Sequence, residues 1–252
     1  MAFRHRHRLL ALPRKSWFDI PGRGLIIPVM YVLSCEPATS AVPEWHKELF
    51  RGQEDIVSSG ESWAPGSLNL AQAFATKLRA LLAHGDITRL LVDFGKSADD
   101  PTRFSRFSET LPEATRQKLD ERHHASYLNL IRQRVAEEQR RGGVALHLSI
   151  RTDAYQGMPL IGLHHDPSRD FESSFVGRWS AALAAQAPEL PVATVADPNY
   201  GLSATLRGLF PENFGSVSLV VDQACFLDGK PIRWDLFKRH LLETLPAPPA
   251  AT

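Results

Sequence analysis

Apolar residues fall in two rhythms along the chain: short continuous runs, and stripes three or four residues apart. Residues 25–33 (Leu-Ile-Ile-Pro-Val-Met-Tyr-Val-Leu) make the first run. Its length and β-branched content predict a strand buried on both faces. Glu44–Phe50 predicts a short helix behind Pro43, and the polar, Gly/Ser-rich stretch 51–66 predicts a loop. From Leu68 the spacing changes: Leu70, Phe74, Leu78 and then Leu81 or Leu82 mark one face of a helix ending near residues 84–85. Residues 89–93 (Arg-Leu-Leu-Val-Asp) predict a second strand, whose carboxyl end leads into Phe94-Gly95-Lys96-Ser97.

After a polar connection over 99–112, Pro112 opens a helix. Its stripe is Leu119, His123, Tyr127, Ile131 and Val135, and Gly142-Gly143 closes it. Strands are predicted at 144–150, 158–163, 192–195 and 216–221, and helices at 171–186, 202–209 and 232–245. Apolar strands alternating with helices predict an α/β three-layer sandwich of phosphorylase/hydrolase-like type. Its central sheet is mostly parallel or mixed, with helices on both faces. One domain is expected over 25–245, with 99–143 as a local helical excursion. A basic extension over 1–24 precedes it, and a Pro/Ala-rich, disordered tail over 246–252 follows.

Charge narrows the partners. Lys and Arg number 29 against 28 Asp and Glu, so no general field draws nucleic acid or an anionic membrane. The 25–33 run is too short to span a bilayer. It also lies too far behind the basic head for a signal peptide, so a cytoplasmic location is expected. Cys35 and Cys225 are expected to be buried thiols, since two cysteines make no disulfide framework. Gly95-Lys96-Ser97 lacks the earlier glycine of a phosphate loop, and no Gly-x-Ser-x-Gly is present.

In folds of this class ligands gather outside the carboxyl ends of the strands. Glu36, Asp93, Lys96, His147, Arg151, Asp153, Asn199, Arg207 and Asp222 are expected there. Of these, Lys96, Arg151, Asp153, Asn199 and Arg207 are the candidate ligand-binding residues. They suit an anionic or zwitterionic small molecule, since an arginine grips a carboxylate with both arms. A hydrolytic zinc site needs three His/Asp/Glu ligands, an open position and a carboxylate base. No His-Glu-x-x-His occurs. Glu36 and His147 are the candidate metal ligands, and Glu61 and His147 the candidate catalytic groups if hydrolysis is retained. His164 and His165 would face opposite sides of a strand. His123 and His124 diverge on a helix, with one expected to pack inward. Trp63, Tyr155 and Tyr200 fall in predicted loops where they could line a pocket; Trp45 and Trp179 are expected in or beside the core.

Several segments, taken in order, resemble the N-formylglutamate amidohydrolase family. They are Ser34-Cys-Glu-Pro-Ala-Thr-Ser-Ala-Val-Pro43, Gly66 before its helix, Thr88-Arg-Leu-Leu-Val-Asp93 and His147-Leu-Ser-Ile-Arg151. Ile161-Gly-Leu-His-His-Asp-Pro167 with Arg169, Leu202-Ser-Ala-Thr-Leu-Arg207 and residues 215–223 complete the series, over about residues 30–226. The resemblance implies a carboxypeptidase-like metallohydrolase fold, a zinc cofactor and hydrolysis of an N-formyl amino acid.

The departures fall on polar positions. The family's Ser-Cys-Glu-His-Ala-Ser-Asn has Pro37 here for its histidine and Ser40 for its asparagine. Its His-x-x-Asp-x-Gly is Glu61, Ala64 and Gly66, and its Asp-Leu-Asn-Arg is Asp93-Phe-Gly-Lys96. His-x-Ser-x-His-Ser-Phe keeps His147 and Ser149 but has Arg151 for the second histidine. The late Ile-Glu-Leu-Glu-Val-Asn-Gln is Val217-Ser-Leu-Val-Val-Asp-Gln223, without either glutamate. Two function classes follow. One is an inactive relative that binds a small acidic ligand or a protein partner. The other is an amidohydrolase of N-acyl amino acids with a rearranged set of Glu36, Glu61 and His147.

Overall fold

The computed structural model describes residues 29–154, 161–226 and 231–247. Six strands form one sheet: β1 (Val29–Cys35), β2 (Leu82–His84), β3 (Val144–Asp153), β4 (Ile161–His165), β5 (Val192–Ala196) and β6 (Phe214–Asp222). Their spatial order is β2-β1-β3-β6-β4-β5. β2, β1, β3 and β6 run parallel; β4 is antiparallel to β6 and parallel to β5. The sheet is therefore mixed and mostly parallel. Helices α1 (Glu54–Ser58), α2 (Ser67–Leu78), α3 (Glu113–Leu119), α4 (Ala125–Arg140), α5 (Asp170–Gln186), α6 (Ser203–Leu209) and α7 (Pro231–Thr244) complete the order.

Successive strand residues point to opposite faces, which gives two cores. Leu33, Leu148, Val217 and Leu219 face Phe74 of α2, Phe175 and Trp179 of α5, and Leu241 of α7. Val32, Ala145 and Phe214 face Ile131 and Val135 of α4 and Leu206 of α6. Each such side chain taken fully from water contributes about 1.5–3 kcal/mol. With both faces covered, the central strands carry continuous apolar runs, and the predicted three-layer sandwich is what forms.

The stripe of Leu119, His123, Tyr127, Ile131 and Val135 is buried throughout, as its spacing requires. Between α3 and α4 the helix widens into a π turn at Asp120–His124. Both histidines of the pair end up buried, where one was expected. His123 bonds Asp86 (2.9 Å) and His124 donates to the Lys96 carbonyl (2.7 Å).

Other expectations are corrected. α2 stops at Leu78, because Arg79 takes a left-handed conformation (φ 50°) and its N–H returns to the Ala75 and Thr76 carbonyls. The chain beyond forms β2 instead of another helical turn. Residues 89–93 are not a strand. Leu91 N–H bonds the Thr88 carbonyl and Asp93 N–H the Arg103 carbonyl, so the segment turns. Its Leu90, Leu91 and Val92 side chains are still buried, filling the α4 side. A short apolar run marks burial without specifying backbone. The expected 51–66 loop contains α1. Trp179 is fully buried, but Trp45 is 64% exposed, with the Arg122 guanidinium 5.1 Å over its ring. Cys35 and Cys225 are both buried, and burial pushes both thiols up, Cys225 to about 12. Expectations for residues 1–28, 155–160 (including Tyr155) and 248–252 lie outside the described residues. Among the described residues no helix is long and apolar enough to cross a membrane.

Candidate functional site

Parallel register aligns the polar positions of three strands on the α4/α6 side of the sheet. Val32, His147 and Ser216 stand abreast, and two residues further on come Ser34, Ser149 and Ser218. Glu36 follows directly from β1. Its Oε1 accepts from Ser34 Oγ (2.7 Å) and from Tyr127 Oη of α4 (3.0 Å), and its Oε2 accepts from Ser149 Oγ (2.8 Å). His147 bonds Ser34 Oγ through Nε2 (2.8 Å) and Ser216 Oγ through Nδ1 (2.8 Å). Ser216 in turn meets Ser203 Oγ of α6 (2.9 Å).

The direction of each bond in this network follows from Glu36, since a carboxylate only accepts. Ser34 spends its proton on Glu36, so it must accept from His147 Nε2–H. Nδ1 then accepts from Ser216, and Ser216 from Ser203. The imidazole is the Nε2–H tautomer, and it is neutral. Burial lowers its pKa to about 4, helped by Arg207 and opposed by Glu36. Burial first, and Glu36 second, raise the Tyr127 phenol well above its ordinary value, so it stays a donor. The loops press close around Glu36. A Cβ on Gly85 would run into the Glu36 carbonyl oxygen, and one on Gly95 would lie 3.9 Å from its Cγ.

Gly95 also lines a cavity of about 350 Å³, together with Asp93, Lys96, Asp100, Arg151 and Asn199. Arg151 comes from β3, two residues beyond Ser149 and on the same face. Its Nη2 stands 3.8 Å from Asp153, and its guanidinium carbon lies 5.4 Å from the centre of the Tyr200 ring. Its Nε is buried without a hydrogen-bond partner. Burial alone would lower its pKa. Tyr200, Glu36, Asp153 and Asp93 together reverse that and raise it. His164 also packs on Tyr200, with ring centres 4.0 Å apart and Asp197 3.8 Å from its Nδ1. The His164 ring folds back over Gly162, where a Cβ would sit 3.2 Å from Nε2. Burial lowers the His164 pKa more than Asp197 raises it.

Lys96, Arg151 and Asn199 thus converge on one cavity, with Asp153 beside Arg151. Arg207 does not join them. It is buried against Glu172 of α5 (Nε–Oε1 2.9 Å, Nη2–Oε2 2.7 Å), and it also donates to the Ser216 and Pro198 carbonyls. Glu61 is 54% exposed, pairs with Arg106 at 3.2 Å and does not line the cavity. Glu36 and His147 do meet, through Ser34, but both are buried behind the cavity wall. Asp222 caps the turn at Ala224 (2.9 Å).

The structure adds residues that the sequence did not mark. Arg89 donates from Nε to the Glu61 carbonyl (2.9 Å) and from Nη2 to the Gly60 carbonyl. Burial first, then the nearby Arg151, lower its pKa, which places a further cation beside the site. No motif signals it, because its segment read as a strand. Tyr127 was visible only as one position of a helical stripe.

The family resemblance implies zinc, and these residues do not fit it. Among the described residues no three His, Cys, Asp or Glu side chains come together as a metal set. Both Glu36 oxygens and both His147 nitrogens are already bonded. Pro37 offers only a carbonyl, which accepts from Ala64 N–H (2.9 Å). Arg151 brings a positive charge to the same place.

No protein-family model matches the chain, and no curated protein matches it in sequence. Solved structures do match in shape. A gene product of Agrobacterium tumefaciens superposes with a TM-score of 0.68 at 22% identity, covering 85% of this chain and 88% of that one. An N-formylglutamate amidohydrolase from Ralstonia eutropha superposes with a TM-score of 0.63 at 15% identity, covering 88% and 92%. The chain shares the fold of these two proteins.

Proposed function

We propose that this protein is a non-hydrolytic relative of the amidohydrolases whose fold it shares, and that it binds a small carboxylate-bearing molecule in the cavity headed by Arg151. The observation that carries the reading is Arg151 itself. It stands where the family resemblance implies a metal-ligating histidine, and it lines the cavity with its Nε unpartnered. A guanidinium stays charged at any working pH and offers a fork of donors matched to a carboxylate. It cannot lower the pKa of a bound water as a Lewis acid does. Neither candidate acid–base group is free: Glu36 holds hydroxyl donors on both oxygens, and neutral His147 is closed at both nitrogens. Lys96 and Asn199 on the same cavity supply further donors.

Titration calorimetry with succinate, L-glutamate and N-formyl-L-glutamate tests this, with formate release followed in parallel. Binding without formate release is expected, unchanged by added zinc or by a chelator. Arg151→Gln should weaken binding about 10–100-fold, the usual loss for a hydrogen bond to a charged group. Formate release from N-formyl-L-glutamate that disappears in Glu36→Gln would establish the hydrolytic reading instead.

A further inference from the structure

The cavity carries both signs of charge, and they are not spent on each other. Arg151 and Lys96 line it, and so do Asp93 and Asp100. Lys96 directs two of its three donors to the Thr102 carbonyl (3.2 Å) and hydroxyl. Asp100 Oδ1 is likewise taken by the Thr102 amide (2.8 Å) and hydroxyl (2.7 Å). Asp93 differs. Its Oδ1 accepts from Gly95 N–H (2.9 Å), while its Oδ2 has no hydrogen-bond partner among the described residues. Asp93 and Arg151 feel each other's charge but form no ion pair. A carboxylate with one oxygen free and a guanidinium whose buried Nε has no partner therefore line one small space without pairing, each suited to the opposite end of a ligand.

We infer that the cavity selects a zwitterion: Arg151 takes the carboxylate of an unmodified α-amino acid, and Asp93 Oδ2 takes its ammonium. This rests on the carboxylate-binding reading above and narrows it. An N-acylated amino acid has a neutral amide in place of the ammonium. It would offer Asp93 one uncharged N–H where an ammonium brings three donors and a full charge. Selection of this kind comes from the charge left unpaired by the wrong ligand.

The test is a calorimetric panel of the common α-amino acids against their N-formyl counterparts, run on the full chain and on two variants. Asp93→Asn keeps the acceptor for Gly95 N–H and removes the charge; Arg151→Lys keeps the charge and removes the fork. At least one free amino acid is expected to bind about tenfold or more tightly than its N-formyl form. Asp93→Asn should close that gap, and Arg151→Lys should weaken both forms alike. If the N-formyl forms bind equally or better while Arg151→Lys still weakens them, the zwitterion inference falls and the carboxylate site stands. If Arg151→Lys changes nothing, or no probe binds, both fall together. Circular dichroism melts of each variant separate lost binding from lost folding.

Discussion

His147 shows how little of a side chain's surroundings can be read from its own segment of sequence. Its presence in the His147-Leu-Ser-Ile-Arg151 segment marks it as a metal or catalytic candidate. What decides its behaviour is the pair of serines that close both ring nitrogens, and they come from β1 and β6, over 100 residues and 69 residues away in sequence. Its lowered pKa has a consequence for acid stability. The unfolded chain takes a proton on this histidine near pH 6.5, and the native one only near pH 4. Between those values the unfolded state binds more protons, so the stability contributed above pH 6.5 is lost as pH falls towards 4. The total is roughly 3 kcal/mol for this one group. Urea titrations between pH 4 and 7 should show the wild type losing more stability on acidification than His147→Gln; parallel curves would count against the assignment. Pro37 and Arg151 were legible at this scale because each differs in kind from the residue expected. Arg207 was not. Nothing in its helix announces that Glu172 would fold beneath it and occupy its guanidinium.

At the scale of elements, periodicity served the long helices well and the short apolar runs poorly. The stripe from Leu119 to Val135 constrains five positions over several turns, and all five are buried. The run over 89–93 has too few residues to show a period, and its backbone bonds go to loops at Thr88 and Arg103. β2 was hidden for a related reason. Its three residues continue the apolar spacing of α2, and only the left-handed turn at Arg79 separates the two. The junction after β2 is tightly constrained. Gly85 donates its N–H to the Cys35 carbonyl (3.0 Å) while its Cα faces the Glu36 carbonyl. Gly85→Ala must push backbone against backbone. We expect it to cost about 1–3 kcal/mol or more, seen as a lower urea midpoint, and to disturb cavity binding through Glu36. Gly177→Ala on α5, where nothing stands within 4 Å of the new Cβ, is the control and should be neutral or mildly stabilising.

For the molecule as a whole, the alternation of strands and helices was enough to read an α/β sandwich, and the mixed sheet falls within that reading. The reversal of β4 and β5 was not legible, since strand direction is set by connections and not by apolar content. Where β6 meets this reversed pair, Glu172 and Arg207 lock α5, α6 and β6 together. Glu172 accepts from Arg207 and from the Ser216 and Asp166 amides. Removing one member of a buried pair strands the other, so Glu172→Gln should lower unfolding free energy by about 3–5 kcal/mol. Adding Arg207→Met should recover part of that loss in equilibrium denaturation; a double variant as weak as the sum of the singles would deny the pairing. The hydrogen-bonded chain from Ser203 to Tyr127, which passes through His147 and Glu36, has a mechanical consequence. It begins on α6, crosses β6, β3 and β1, and ends on α4, so it sutures two helices that share no sequence neighbourhood. Amide deuteration should therefore find these helices opening in concert, with Ser203→Ala loosening the distant turn around Tyr127.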